Sequence, residues 1–125
     1  MGNPNNTLAD DLIFAQRAFD EPFLLKEIRC MSRNFCGYDL SKLEGTLFEL
    51  KLSDSDKGAL NEIIQNSFKD KTDYAAFYSF MHQNGKVIRL LEKGSFDEKG
   101  GYFRILITVI PSQIVNKNAR YLSVF

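Results

Sequence analysis

The chain has no tryptophan, one histidine, two cysteines and three prolines, and its 16 basic residues are balanced by 16 acidic ones. The zero net charge argues against nucleic-acid binding, which needs an excess of basic charge on one face. It equally gives no polybasic surface for a membrane. No window reaches the ~18 apolar residues of a membrane-spanning helix. Met1 to Asn6 are polar and lack the charged-then-apolar order of a signal peptide. The expectation is a cytoplasmic domain without membrane contact. Cys30 and Cys36 fit neither a disulfide framework, a zinc knuckle nor a redox CxxC pair, so they read as structural thiols.

The single histidine limits the chemistry further. A Ser-His-Asp or Cys-His arrangement would have to use His82, and the sequence has no GxSxG elbow and no GxxxxGK(S/T) phosphate loop. Glu27, Glu44, Glu49 and Glu62 are scattered and read as a solvated face. Asp54 and Asp56 do not continue into a calcium loop, because Gly58 stands where a further ligand would be needed. They read as a helix cap. The chain is expected not to be an enzyme.

Apolar mass is what remains in quantity. Forty-four per cent of the 125 residues are hydrophobic and eleven are phenylalanine, enough for one domain with one core. Residues 12–19 satisfy both a helical and a strand pattern. Residues 23–30 read as a strand with a possible bulge, because Phe23, Leu25 and Ile28 do not alternate cleanly. Residues 32–38 read as a short helix stopped by Gly37, and 39–44 as a helical turn stopped by Gly45. Leu60, Ile63, Ile64 and Phe68 make one stripe on a helix over 55–68, with residues 53–56 supplying its cap and acidic first turn. Three strands follow at 74–81, 87–96 and 102–110. Asn84-Gly85 turns the first hairpin and residues 97–101 loop the second, while Phe103, Ile105, Ile107 and Val109 share one face of the last strand. Helices followed by consecutive hairpin strands indicate an α+β fold.

The order of these segments and the residues at their joints resemble the PAS domain family. Asn34-Phe35-Cys36-Gly37-Tyr38 followed by Leu43-Glu44-Gly45 looks like that family's joint between its first short helices. Phe48-Glu49-Leu50 and then residues 53–56 look like its lead into the long helix. His82-Gln83-Asn84-Gly85-Lys86 looks like its hairpin, and residues 97–110 like its last loop and closing strand. The resemblance spans roughly residues 11–110. It implies a five-stranded antiparallel sheet with short helices and one longer helix on one face, and it favours strand for 12–19.

As organisation the resemblance implies a lead-in over 1–10, the PAS-like domain over 11–111, and a linker or dimerisation segment over 112–125. As function it implies a sensory module, expected as a homodimer, that passes a conformational change to an output domain of the same protein: a histidine kinase, a cyclic-nucleotide enzyme or a transcription regulator. A small apolar ligand would lie between sheet and helices against Phe35, Leu50, Leu60, Ile64, Phe77, Ser79, Met81, Leu90, Ile105 and Ile107. The alternatives are a dimerisation module with a filled core, or a small cone-shaped α+β enzyme. The cofactor stays unknown. Heme is disfavoured because the long helix has no histidine. Covalent flavin is disfavoured because Thr46-Leu47-Phe48 stands where the photoreactive cysteine motif would be. His82, at a hairpin, is expected in solvent.

Overall fold

Strict alternation decides the centre of the structure. Along β7 (Tyr102–Ile110) Phe103, Ile105 and Ile107 are buried while Arg104 faces solvent, so one side of the strand meets a core. The computed structural model describes residues 12–30, 34–43 and 47–110. The segments expected as lead-in and C-terminal linker, together with Gly45, lie outside the described residues.

β7 is flanked by β1 (Leu12–Ala18) and β6 (Val87–Asp97), with β2 (Lys26–Cys30) and β5 (Tyr74–Met81) at the two edges. The five strands run antiparallel in the order β2-β1-β7-β6-β5. Residues 12–18 are therefore strand: Ile13, Ala15 and Arg17 are buried and Phe14 is exposed, a period of two that a helix could not keep. The expected bulge is present. Phe14 pairs with Arg29 but Gln16 with Lys26, so β2 carries one extra residue, and Glu27 takes φ 52° there. The strand starts at Lys26 rather than at residue 23. Residues 21–24 form a turn closed by Leu24 N–H to the Glu21 carbonyl, 3.1 Å, and Leu25 drops into the core.

The short helix expected over 32–38 is not formed in its described part. Asn34–Phe35 (β3) and Tyr38–Asp39 (β4) pair as a small hairpin. Its two turn residues, Cys36 and Gly37, have φ 54° and 83°, the double positive φ of the tightest hairpin turn. A side chain at Gly37 has no room, since a Cβ would sit 2.9 Å from Gln83 Cβ. The Tyr38 hydroxyl donates to the Met81 carbonyl, 2.7 Å, which ties this hairpin to the end of β5.

Helix α1 (Leu40–Lys42) is the expected turn, capped by Asp39. Helix α2 (Phe48–Leu50) precedes α3 (Asp54–Asp70), whose first turn is capped by the Ser53 hydroxyl accepting from Asp56 N–H, 3.1 Å. Lys71 ends α3 in the left-handed region. Leu60 and Ile64 are buried, and Phe68 meets Phe103 at 4.5 Å and Phe96 at 6.1 Å between ring centroids. Phe48 of α2 lies 4.8 Å from Phe80 and 6.2 Å from Tyr78. These contacts put α2 and α3 on the same side of the sheet, and each fully buried side chain there contributes ~1.5–3 kcal/mol. The long helix also covers an edge. Asp56 accepts from Ser79 N–H, 2.9 Å, and the Lys51 carbonyl from Met81 N–H, 3.0 Å, so two outward amides of β5 are engaged.

Candidate functional site

Two charges of opposite sign fall in the inward register of the sheet. On β1 Arg17 follows Ile13 and Ala15; on β6 Glu92 follows Leu90. Both side chains are 0% exposed. Arg17 Nε donates to Glu92 Oε2 and Nη2 to Oε1, each at 2.8 Å, a bidentate pair. Arg17 Nη1 donates to the Pro22 carbonyl and so fixes the β1–β2 turn. The Tyr78 hydroxyl donates to Oε1 at 2.6 Å and the Tyr74 hydroxyl to Oε2. The rings of Phe48 and Phe23 lie 5.6 and 5.9 Å from the guanidinium carbon. Desolvating each ion costs several kcal/mol, which only such complete pairing offsets. Among the described residues no buried side-chain nitrogen or oxygen lacks a hydrogen-bond partner.

Tyr74 reaches Glu92 because its cross-strand neighbour is Gly94. A Cβ at Gly94 would stand 2.2 Å from the Tyr74 ring. Gly94→Ala is therefore expected to displace Tyr74 and destabilise the fold by about 1–3 kcal/mol, an overpacking effect that urea unfolding measures. A loss indistinguishable from zero would mean that the ring has somewhere else to go.

The cluster sets two limits in pH. Burial pushes the Glu92 carboxyl up, but the Arg17 charge and the hydrogen bonds from Arg17, Tyr74 and Tyr78 outweigh it and hold the carboxyl below its ordinary value. Its contribution is thus present above the unfolded value of about 4.3 and is lost as pH falls through the lower folded one. Burial, and after it the Glu92 charge, push the Tyr74 and Tyr78 hydroxyls up. Their contribution is present below the unfolded value of about 10 and is lost as pH rises beyond it. Urea midpoints followed with pH are expected to fall on both sides. Tyr74→Phe/Tyr78→Phe should flatten the alkaline fall; an alkaline limb of unchanged slope in that variant would contradict the assignment.

The residues expected around a ligand divide into two sets. Phe35, Leu60, Ile64, Leu90, Ile105 and Ile107 are buried on the inner side. Phe77, Ser79 and Met81 are not. The inward residues of β5 are Ala76, Tyr78 and Phe80, one register step away, because the Tyr78 hydroxyl is drawn to Glu92. Leu50 is 70% exposed. Three of these four meet elsewhere: Leu50, Ser79 and Met81, with Leu52, Phe80 and Val87, line an open cleft of about 310 Å³ beside the β5 edge. His82 is half-buried, and its Nδ1 accepts from Asn84 N–H at 3.1 Å. Cys36 is buried and Cys30 half-buried. Among the described residues no cluster of three metal-binding side chains occurs, and no helix is long and apolar enough to cross a membrane.

Sequence reasoning missed Arg17, Tyr74, Tyr78 and Glu92. The signal was the register itself: Ile13-x-Ala15-x-Arg17 and Leu90-x-Glu92 each put one charge on the apolar face of a strand.

No family model matches the chain, and no curated protein matches it. Solved structures do. The PAS-B domain of Drosophila melanogaster Cycle, whose structure has ethylene glycol bound, superposes with a TM-score of 0.59 at 15% identity, over 78% of this chain and 97% of that one. A sensory box histidine kinase/response regulator from Burkholderia thailandensis gives a TM-score of 0.57 at 13% identity, over 91% and 88%. Together with the strand order β2-β1-β7-β6-β5 and the helices on one side, these matches establish that the chain has a PAS-type fold.

Proposed function

We propose that this chain is a non-enzymatic PAS-type signalling module that acts by protein contact through the outer face of its sheet, its interior being closed by the Arg17–Glu92 pair instead of holding a ligand. The observation that carries this reading is the bidentate pair, 0% exposed and backed by Tyr74, Tyr78 and Phe48, in the space where a ligand was expected. An apolar ligand there would have to displace a satisfied ion pair, which leaves two buried charges without partners. The outer face offers what the interior does not: Phe14 is 52% exposed, half-buried Leu106 is its cross-strand neighbour, and half-buried Leu91 lies on the next strand. The likeness to a sensory box histidine kinase supports placing such a module next to an output domain.

Native mass spectrometry of the purified chain tests the reading. The bare mass is expected; a small molecule retained one per chain overturns it. A second reading rests on the cleft at Leu50, Ser79 and Met81, where a small molecule would bind at the β5 edge instead of inside the fold. Leu50→Arg would abolish such retention and leave the core untouched.

A further inference from the structure

The cleft beside the β5 edge gathers exposed apolar side chains. Leu50, Met81 and Val87 are three of the five large hydrophobic residues exposed among the described residues, and all three line it, over the buried Leu52 and Phe80. Its volume of about 310 Å³ lies at the small end of ligand pockets, ~300–1,000 Å³. The strand edge along it is already spent. The Ser79 amide donates to Asp56, the Met81 amide to the Lys51 carbonyl, and the Met81 carbonyl accepts from the Tyr38 hydroxyl. A peptide strand added there would find these backbone groups taken, so the cleft suits a small molecule.

The polar groups of the lining give that molecule a sign. Lys51 is the one charged residue lining the cleft. Its ammonium stands 5.6 Å from the centroid of the Tyr38 ring, which keeps it at the Met81 end, and it has no carboxylate partner among the described residues. The Ser53 hydroxyl oxygen accepts from the Asp56 amide and keeps its own proton to donate. Both groups call for an acceptor. The nearby acids do not answer them: Glu49 is held by Lys57 at 3.5 Å, Asp56 by the Ser79 amide, and neither these nor Asp54 line the cleft. From this arrangement we infer that the cleft is a binding site for a small amphipathic carboxylate, its apolar body against Leu50, Leu52, Met81 and Val87 and its carboxylate toward Lys51 and Ser53. The inference rests on the cleft reading above and names the ligand's chemistry. Such a ligand leaves the interior pair in place, since Leu50 reaches the cleft from α2 while Phe48 of the same turn stays over Arg17. The chain's own residues 111–125 contain Lys117 and Arg120 and no Asp or Glu, so their side chains do not answer Lys51.

The test is a titration of the full chain, followed by amide NMR, with octanoate, octan-1-ol and octylamine, three probes that share an apolar body and differ in charge. Shifts should centre on residues 50–53, 79–81 and 87. Octanoate is expected to bind at least about threefold more tightly than octan-1-ol, the scale of one part-exposed ion pair, and octylamine most weakly, with the margins shrinking as salt is added. Lys51→Gln keeps the backbone carbonyl that holds Met81, and thermal unfolding checks its fold; it should erase the octanoate margin and leave octan-1-ol binding unchanged. Lys51→Glu should turn the preference toward octylamine. Octan-1-ol or octylamine binding as tightly as octanoate, or Lys51→Gln weakening octan-1-ol and octanoate alike, would overturn the inference; with shifts still centred on the cleft, these results remove the ligand's charge alone. Cleft residues that shift with none of the three probes, or self-association that Leu50→Arg abolishes, would remove the cleft reading as well.

Discussion

Glu92→Ala is expected to lose about 3–5 kcal/mol of folding stability, the cost of leaving a buried charge without its partner. Arg17 would keep only the Pro22 carbonyl and its ring contacts, and the Tyr74 and Tyr78 hydroxyls would lose their acceptor. The same reasoning gives the opposite sign for removing both charges. Arg17→Met/Glu92→Leu replaces the pair by apolar groups of similar volume and should recover most of the loss, because the desolvation of two ions is then no longer part of folding. Urea unfolding of the two variants beside the parent measures both. A Glu92→Ala protein within about 1 kcal/mol of the parent would mean that water reaches Arg17.

Phe48→Ala should cost a similar amount, about 3–5 kcal/mol, for a different reason. Phe48 is fully buried, packs against Phe80 and Tyr78, and lies over the Arg17 guanidinium. Truncation removes the apolar transfer energy, leaves a cavity and strips one face of the cation. Phe48→Leu keeps most of the volume and should lose under about 1.5 kcal/mol. Chemical denaturation compares the two; equal losses would show that the aromatic ring contributes nothing beyond its size. Since Phe48 touches Arg17, its loss and that of Glu92 should not add.

The strands were legible wherever one face is apolar and the other is not. β7 carries its pattern openly in Phe103, Ile105 and Ile107, and the 74–81 and 102–110 boundaries agree with the sequence reading. The long helix was legible from its stripe and its Ser53 cap. The hairpin at 34–39 was not, because Gly37 serves equally as a helix stop and as the second residue of a two-residue turn, and only the φ of Cys36 separates the two. On β5 nearly every side chain is apolar or aromatic, so periodicity cannot say which set faces inward. The choice is made by Tyr78, whose hydroxyl has an acceptor only on the inner side. That acceptor stayed hidden because a glutamate is read as solvated until its partner, 75 residues away in the chain, is placed beside it. The candidate site was therefore the least legible part: its identity depends on pairing β1 and β6 across β7, which no local pattern contains.

The side-chain NMR signal of Arg17 tests most directly the claim that an ion pair closes the interior. In ¹⁵N-labelled protein transferred to deuterated water, the Arg17 Nε–H is expected to persist long after those of Arg29, Arg89 and Arg104 have exchanged, and to lose that protection in Glu92→Ala. An Arg17 signal that vanishes together with the exposed arginines in the parent protein would contradict the account.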